Sequence, residues 1–64
     1  MKWTEVQRIA EELSDAYPDV DPETVNFLDL MKWVLALPEF DDIPDHCGER
    51  VLEAIQAAWI EERT

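Results

Sequence analysis

Apolar residues recur at helical spacing in three stretches of the chain, and prolines separate them. In the first stretch Val6, Ile9, Ala10, Leu13 and Tyr17 share a narrow sector at about 100° per residue, while Arg8, Glu11, Glu12 and Asp15 take the other side. An amphipathic helix is expected there. Thr4 and Gln7 have the spacing of a capping box, in which each side chain satisfies the other's free backbone donor. Pro18 closes the helix, because the residue before a proline avoids helical dihedrals. Asp21-Pro22 then opens a single turn over Glu23 and Thr24, with Asp21 as the cap and Pro22 at the first helical position. A longer helix is expected from about Leu28 to Leu37, with Leu30, Trp33, Val34 and Leu37 at core spacing, Met31 and Leu35 on a flank of the same wide apolar face, and Pro38 at its close. The stretch from Glu39 to Gly48 holds Asp41, Asp42, Pro44 and Asp45 and reads as a loop that turns and stays solvated. The last helix is expected from about Glu49 to Glu62. Val51, Leu52, Ile55, Ala58 and Trp59 form its inward stripe; Glu49, Glu53 and Gln56 point outward, with Ile60 among them.

No segment alternates as a strand does. Three helices, one turn and brief connections predict one all-α domain spanning residues 1–64, a small helical unit of helix-turn-helix or winged-helix type with little or no sheet.

Size and charge narrow the function. A chain of 64 residues buries only about 60% of the surface its unfolded form exposes, which leaves room for one core and none for an enclosed substrate pocket. The expected protein is not an enzyme. Its 16 acidic against 5 basic side chains give a net charge of -11, which repels phosphate backbones and anionic lipid, so neither nucleic acid nor membrane is an expected partner. Cations and basic protein surfaces are. The chain is nonetheless built to fold: 47% of its residues are hydrophobic, and Trp3, Tyr17, Phe27, Trp33, Phe40 and Trp59 are spread along it as anchors. One cysteine rules out an internal disulfide, and no apolar stretch approaches the ~20 residues of a membrane span, so a soluble, unprocessed, cytoplasmic monomer is expected.

Most chemical motifs are absent. With Gly48 the only glycine, neither a phosphate-binding loop nor a dinucleotide fingerprint can form. Asp19-Val20-Asp21-Pro22-Glu23 begins like a calcium loop, but Thr24 stands at the required glycine and Leu30 at the required bidentate glutamate. His46-Cys47 lacks the further ligands of a metal site and a third group to orient the imidazole; a thiol just before a helix could be acidified, but a plain loop residue is the simpler reading.

The carboxylates are the feature above background. They concentrate in two loops, Asp19, Asp21 and Glu23, then Asp41, Asp42 and Asp45, and in rows at helical spacing, Glu11 with Asp15 and Glu49 with Glu53. Charge runs usually only solubilise. At this density, however, they cost stability through self-repulsion, and hard oxygen donors in proline-containing loops suit iron, calcium or manganese rather than zinc or copper.

Tyr17-Pro18-Asp19, Asp21-Pro22, Phe27, Asp29, Trp33, Leu37, Phe40-Asp41-Asp42, Pro44, Glu49, Leu52-Glu53-Ala54-Ile55 and Trp59, with Lys2-Trp3-Thr4 at the start, resemble the IscX family over essentially the whole chain. The resemblance implies a modified winged-helix fold and a small acidic protein of bacterial iron–sulfur cluster assembly. It implies binding to the cysteine desulfurase IscS, contact with the scaffold IscU, competition with bacterial frataxin, and weak binding of Fe²⁺ or Fe³⁺. Four positions depart from the family pattern: Leu28 where a helix-capping threonine is usual, Met31 where histidine is common, Ile43 where a third acid can occur, and Cys47-Gly48 where Ser-Asn is frequent. The departures at Met31 and Ile43 argue against tight metal binding and leave the charged surface intact.

Together these readings predict a non-catalytic adaptor or regulator. Asp19, Asp21, Asp41, Asp42 and Asp45 are the candidate iron ligands, and Glu11, Glu12, Asp15, Asp29, Glu49 and Glu53 the candidate partner-binding residues. The competing expectations are a direct iron donor acting through the same carboxylates and, more remotely, an acidic DNA mimic.

Overall fold

The computed structural model describes residues 1–63 and contains three helices, α1 (Val6–Ala16), α2 (Phe27–Leu35) and α3 (Glu49–Glu62), with single 3₁₀ turns at Pro22–Thr24 and Pro44–His46. No strand occurs among the described residues, and the architecture is all-α.

The start of α1 differs from the expected one. No Thr4–Gln7 box forms: Glu5 is the cap residue, and its side chain turns backward to accept from the Lys2 N–H at 2.7 Å while its own N–H donates to the Lys2 carbonyl at 3.0 Å. That Lys2–Glu5 turn uses up the segment in which Thr4 could have capped. Gln7 reaches the far end of α3, donating from Nε2 to Glu62 at 2.8 Å. The turn at Pro22–Thr24 forms as expected, with Asp21 accepting from the Glu23 N–H at 3.0 Å.

Asn26 sets the start of α2, one residue before the expected one. Its Oδ1 accepts the Asp29 N–H at 2.8 Å, an N-cap, and its Nδ2 donates to the Asp29 carboxylate at 3.3 Å. Leu28 is therefore not a failed cap; the cap sits two positions earlier. The helix stops at Leu35, and Leu37 reaches the core from a following turn closed by its N–H on the Val34 carbonyl at 3.1 Å.

Met1, Trp3, Ile9, Ala10, Leu13, Leu30, Val34, Leu37, Leu52, Ile55 and Trp59 make up the core. The inward stripes of α1 and α3 contribute as their spacing predicts. Met1 and Trp3 come from outside any helix and fold back into the interior. Trp33, Val51, Met31 and Leu35 are half-buried against the core, and Ile60 is half-buried rather than outward. Tyr17 stacks on Trp33 with ring centroids 4.9 Å apart, and Trp33 meets Trp59 edge-on at 6.2 Å. The Trp59 Nε1 is buried with no protein acceptor among the described residues. Gln56, expected to face solvent, instead turns inward and donates from Nε2 to the Pro22 carbonyl at 2.8 Å and the Val25 carbonyl at 3.3 Å. Those two carbonyls belong to the short turn and the extended residue after it, where the chain is not part of a long helix and its acceptors stay open to a side-chain amide.

Candidate acidic interaction surface

No charged residue is buried among those described, so the carboxylates lie at or near the surface. They divide into those spent on the protein's own architecture and those left to face solvent.

The loop from Glu39 to His46 holds the first group. It turns and stays largely exposed, as expected, and it is also laced to the N-terminal segment. The N-terminal ammonium donates to the Glu39 carbonyl at 2.5 Å and to Asp41 Oδ1 at 2.9 Å, and the Asp41 N–H returns to the Met1 carbonyl at 3.0 Å. Lys2 Nζ contacts both the Asp41 carbonyl, at 2.7 Å, and its carboxylate, at 3.4 Å. One position on, Asp42 accepts the Trp3 N–H at 3.2 Å, its neighbour Ile43 N–H at 2.8 Å, and the His46 Nδ1 at 2.5 Å. The Trp3 indole N–H donates to the Ile43 carbonyl at 2.8 Å, and its ring meets Phe40 edge-on at 4.7 Å. Arg8 on α1 clamps Glu39 at 2.7 Å.

These contacts show in the acidities. The hydrogen bond from the N-terminal ammonium, with help from Lys2, holds the Asp41 carboxyl below the ordinary aspartate range. At Asp42 partial desolvation pushes the carboxyl upward, but the donors Ile43, His46 and Trp3 outweigh it and the net effect is also downward. The Asp41 side chain stays 64% exposed, whereas that of Asp42 is 11% exposed.

The second group faces water. Glu11, Asp15, Glu49 and Glu53 are exposed on α1 and α3, and Glu12 and Asp29 half-exposed. Asp19 and Asp21 are exposed around the first turn and Asp45 in the second. Asp21 also caps the turn, and the Asp29 carboxylate accepts from Nδ2 of Asn26, the cap of α2. A shallow recess of about 290 Å³ lies beside the first turn, lined by Asp21, Pro22, Glu23, Ile60 and Arg63, and the Arg63 guanidinium closes one side by donating to the Val20 carbonyl.

Among the described residues no three His, Cys, Asp or Glu side chains converge as a group that could hold a metal ion. The donors are carboxylate oxygens, of the hard type that suits hard cations. Cys47 is half-buried, and burial raises its thiol pKa, the opposite of what a reactive thiolate at a helix start requires; His46 is turned to Asp42.

Two surface residues were not foreseen from the pattern. Leu28 is 61% exposed and Ile43 51% exposed. The available signal for Leu28 was the composition of α2, Phe-Leu-Asp-Leu-Met-Lys-Trp-Val-Leu, which is apolar on every side except at Asp29 and Lys32.

A family model for iron–sulphur cluster assembly matches residues 1–64. The chain belongs to that family. The resemblance to IscX read from the residues is thereby borne out, and the role of this family member lies in iron–sulphur cluster assembly. The chain is also 62% identical over 63 residues to an uncharacterised protein of Pseudomonas aeruginosa, covering 98% of this chain and 96% of that one. In this family member no helix among the described residues is long and apolar enough to cross a membrane.

Proposed function

We propose that the protein is a non-catalytic acidic adaptor that docks on the cysteine desulfurase of the cluster assembly system, IscS, and adjusts the delivery of sulfur or iron to the scaffold IscU. It acts in the cytoplasm as a monomer and competes with bacterial frataxin for the same basic ground. The observation that carries this reading is the partition of the carboxylates. Asp41, Asp42 and Glu39 tie down the protein's own N-terminal segment and α1, while Glu11, Asp15, Glu49, Glu53, Asp19 and Asp45 stay exposed with no such duty in view. A surplus of this kind steers association with a basic surface and sets its register. Iron binds the same surplus weakly, as a hard cation attracted to exposed oxygens.

Titration of the protein into the desulfurase at two ionic strengths tests this reading. Exposed charges separated by more than the ~8–10 Å Debye length of physiological salt are screened, so affinity should fall clearly between low and physiological ionic strength. An affinity indifferent to salt overturns the reading, as does failure to bind at low salt.

A further inference from the structure

The α2 helix carries more apolar surface than this fold buries. Seven of its nine residues are apolar: Leu30 and Val34 are fully enclosed, Phe27, Met31, Trp33 and Leu35 are only half-buried against the core, and Leu28 is exposed. A helix that is apolar nearly all round normally sits inside a larger core. Here Leu28, Met31 and Leu35 fall at i, i+3 and i+7, which places them on one flank, with Leu28 61% exposed and the other two half-buried. Lys32, one row over, is exposed and basic.

We propose that this stripe is the apolar anchor by which the protein seats on its partner, and that the matching site is an apolar depression rimmed by lysine and arginine. The proposal rests on the adaptor reading and deepens it by assigning the face. Charge selects the occupant. Two copies of a chain of net charge -11 repel one another, and nucleic acid and anionic lipid are repelled equally, which leaves a basic protein surface. Area points the same way. A standard interface buries about 800 Å² on each side, far more than three leucine- or methionine-sized side chains can offer when two are already half-buried, so the remainder of the contact must come from polar surface beyond the stripe and away from Lys32, which on a chain of net charge -11 is mostly carboxylate. That arrangement, a small apolar centre within a charged rim, is the usual anatomy of a specific contact, in which the centre holds and the rim steers.

The roles separate kinetically. Leu28→Ser, compared with wild type in binding to the cysteine desulfurase, should weaken affinity about ten-fold or more through faster dissociation, with the association rate and salt dependence unchanged. Leu28→Met, which keeps apolar area, should restore most of the loss. Exposed carboxylate variants such as Glu53→Gln should do the reverse, slowing association and flattening the salt dependence. Melting temperature serves as the fold control, because a residue this exposed contributes little to the core. If wild type binds in a salt-sensitive way and Leu28→Ser binds equally well, the anchor is overturned and the adaptor reading stands. If wild type does not bind at all, both fall. Concentration-dependent dimerisation abolished by Leu28→Ser would overturn the proposal in favour of a second copy.

Discussion

The Asp42 carboxylate accepts the backbone N–H of Trp3 at 3.2 Å across 39 positions of sequence. Because the same carboxylate also takes the Ile43 N–H and the His46 ring, one side chain joins the N-terminal segment, the second loop and the turn before α3. Trp3, the aromatic it positions, is 2% exposed in the core.

Asp42→Ala should therefore lower the melting temperature by several degrees, while Asp45→Ala three positions on should leave it unchanged. Amide exchange makes the comparison local. The Trp3 and Ile43 N–H groups lose their acceptor in the first variant and should exchange markedly faster, whereas amides of α1 and α3 that depend on helix packing should follow only the global change in stability.

The lowered acidities of Asp41 and Asp42 fix the sign of a pH effect. A carboxyl whose folded pKa lies below its unfolded value of about 3.9 contributes stability that is fully present above that value and is lost as pH falls through the folded one. The stability gap between wild type and an Asp41→Asn, Asp42→Asn double variant should be constant from pH 7 to about pH 5 and close below about pH 4. A gap that widens on acidification contradicts the tether. Denaturant titrations at fixed ionic strength across this range measure it.

Iron binding calls for a choice of variants that the tether dictates. Removing Asp41, Asp42 and Asp45 together would loosen the N-terminal segment as well as delete ligands, and a lost iron response would then have two causes. Asp19→Asn with Asp45→Asn removes exposed carboxylate charge alone. Followed by NMR during iron titration, this pair should keep its folded spectrum and lose line broadening at the two proline-containing loops, while broadening along α1 and α3 persists. Broadening unchanged at the loops would mean that those carboxylates hold no iron.

Gln56 supplies a test of the packing between α3 and the first turn. Its amide serves two carbonyls at the first turn, those of Pro22 and Val25. Gln56→Ala should destabilise the protein by about 1–2 kcal/mol, most of it from part-buried acceptors left unpaired. Urea unfolding followed by far-UV circular dichroism would read the shift in midpoint at constant slope.

Local physics explains which parts could be read in advance. The bounds of α3 and the Asp21-Pro22 turn followed from caps, prolines and 3.6-residue spacing, all of which act within a few positions. The start of α2 was misplaced because attention to Leu28 passed over Asn26 and Asp29, a capping pair at the correct interval. The start of α1 was misplaced because Thr4 was occupied by a turn that Lys2 and Glu5 close between themselves. The tether at Asp41 and Asp42 left no trace in the pattern. An acidic, proline-containing loop has the same composition whether its carboxylates face water or receive N–H groups from a segment some forty residues away. Gln56 posed the same difficulty, since a helical wheel marks its direction and not the carbonyls waiting there. For the candidate site the charge and its rows were legible. The division between structural and free carboxylates, and the exposed Leu28, required the fold.

Tyr17, Trp33 and Trp59 stand in contact in a row that runs from the end of α1 through α2 to α3. Coupled ring transitions at such separations are sensitive to small changes in angle and distance, so the protein carries a native optical gauge of how α2 sits against the other two helices. Seating a partner on the outer flank of α2 would be recorded, without any label, in the near-ultraviolet dichroism and indole emission of a residue on the opposite side of the same helix.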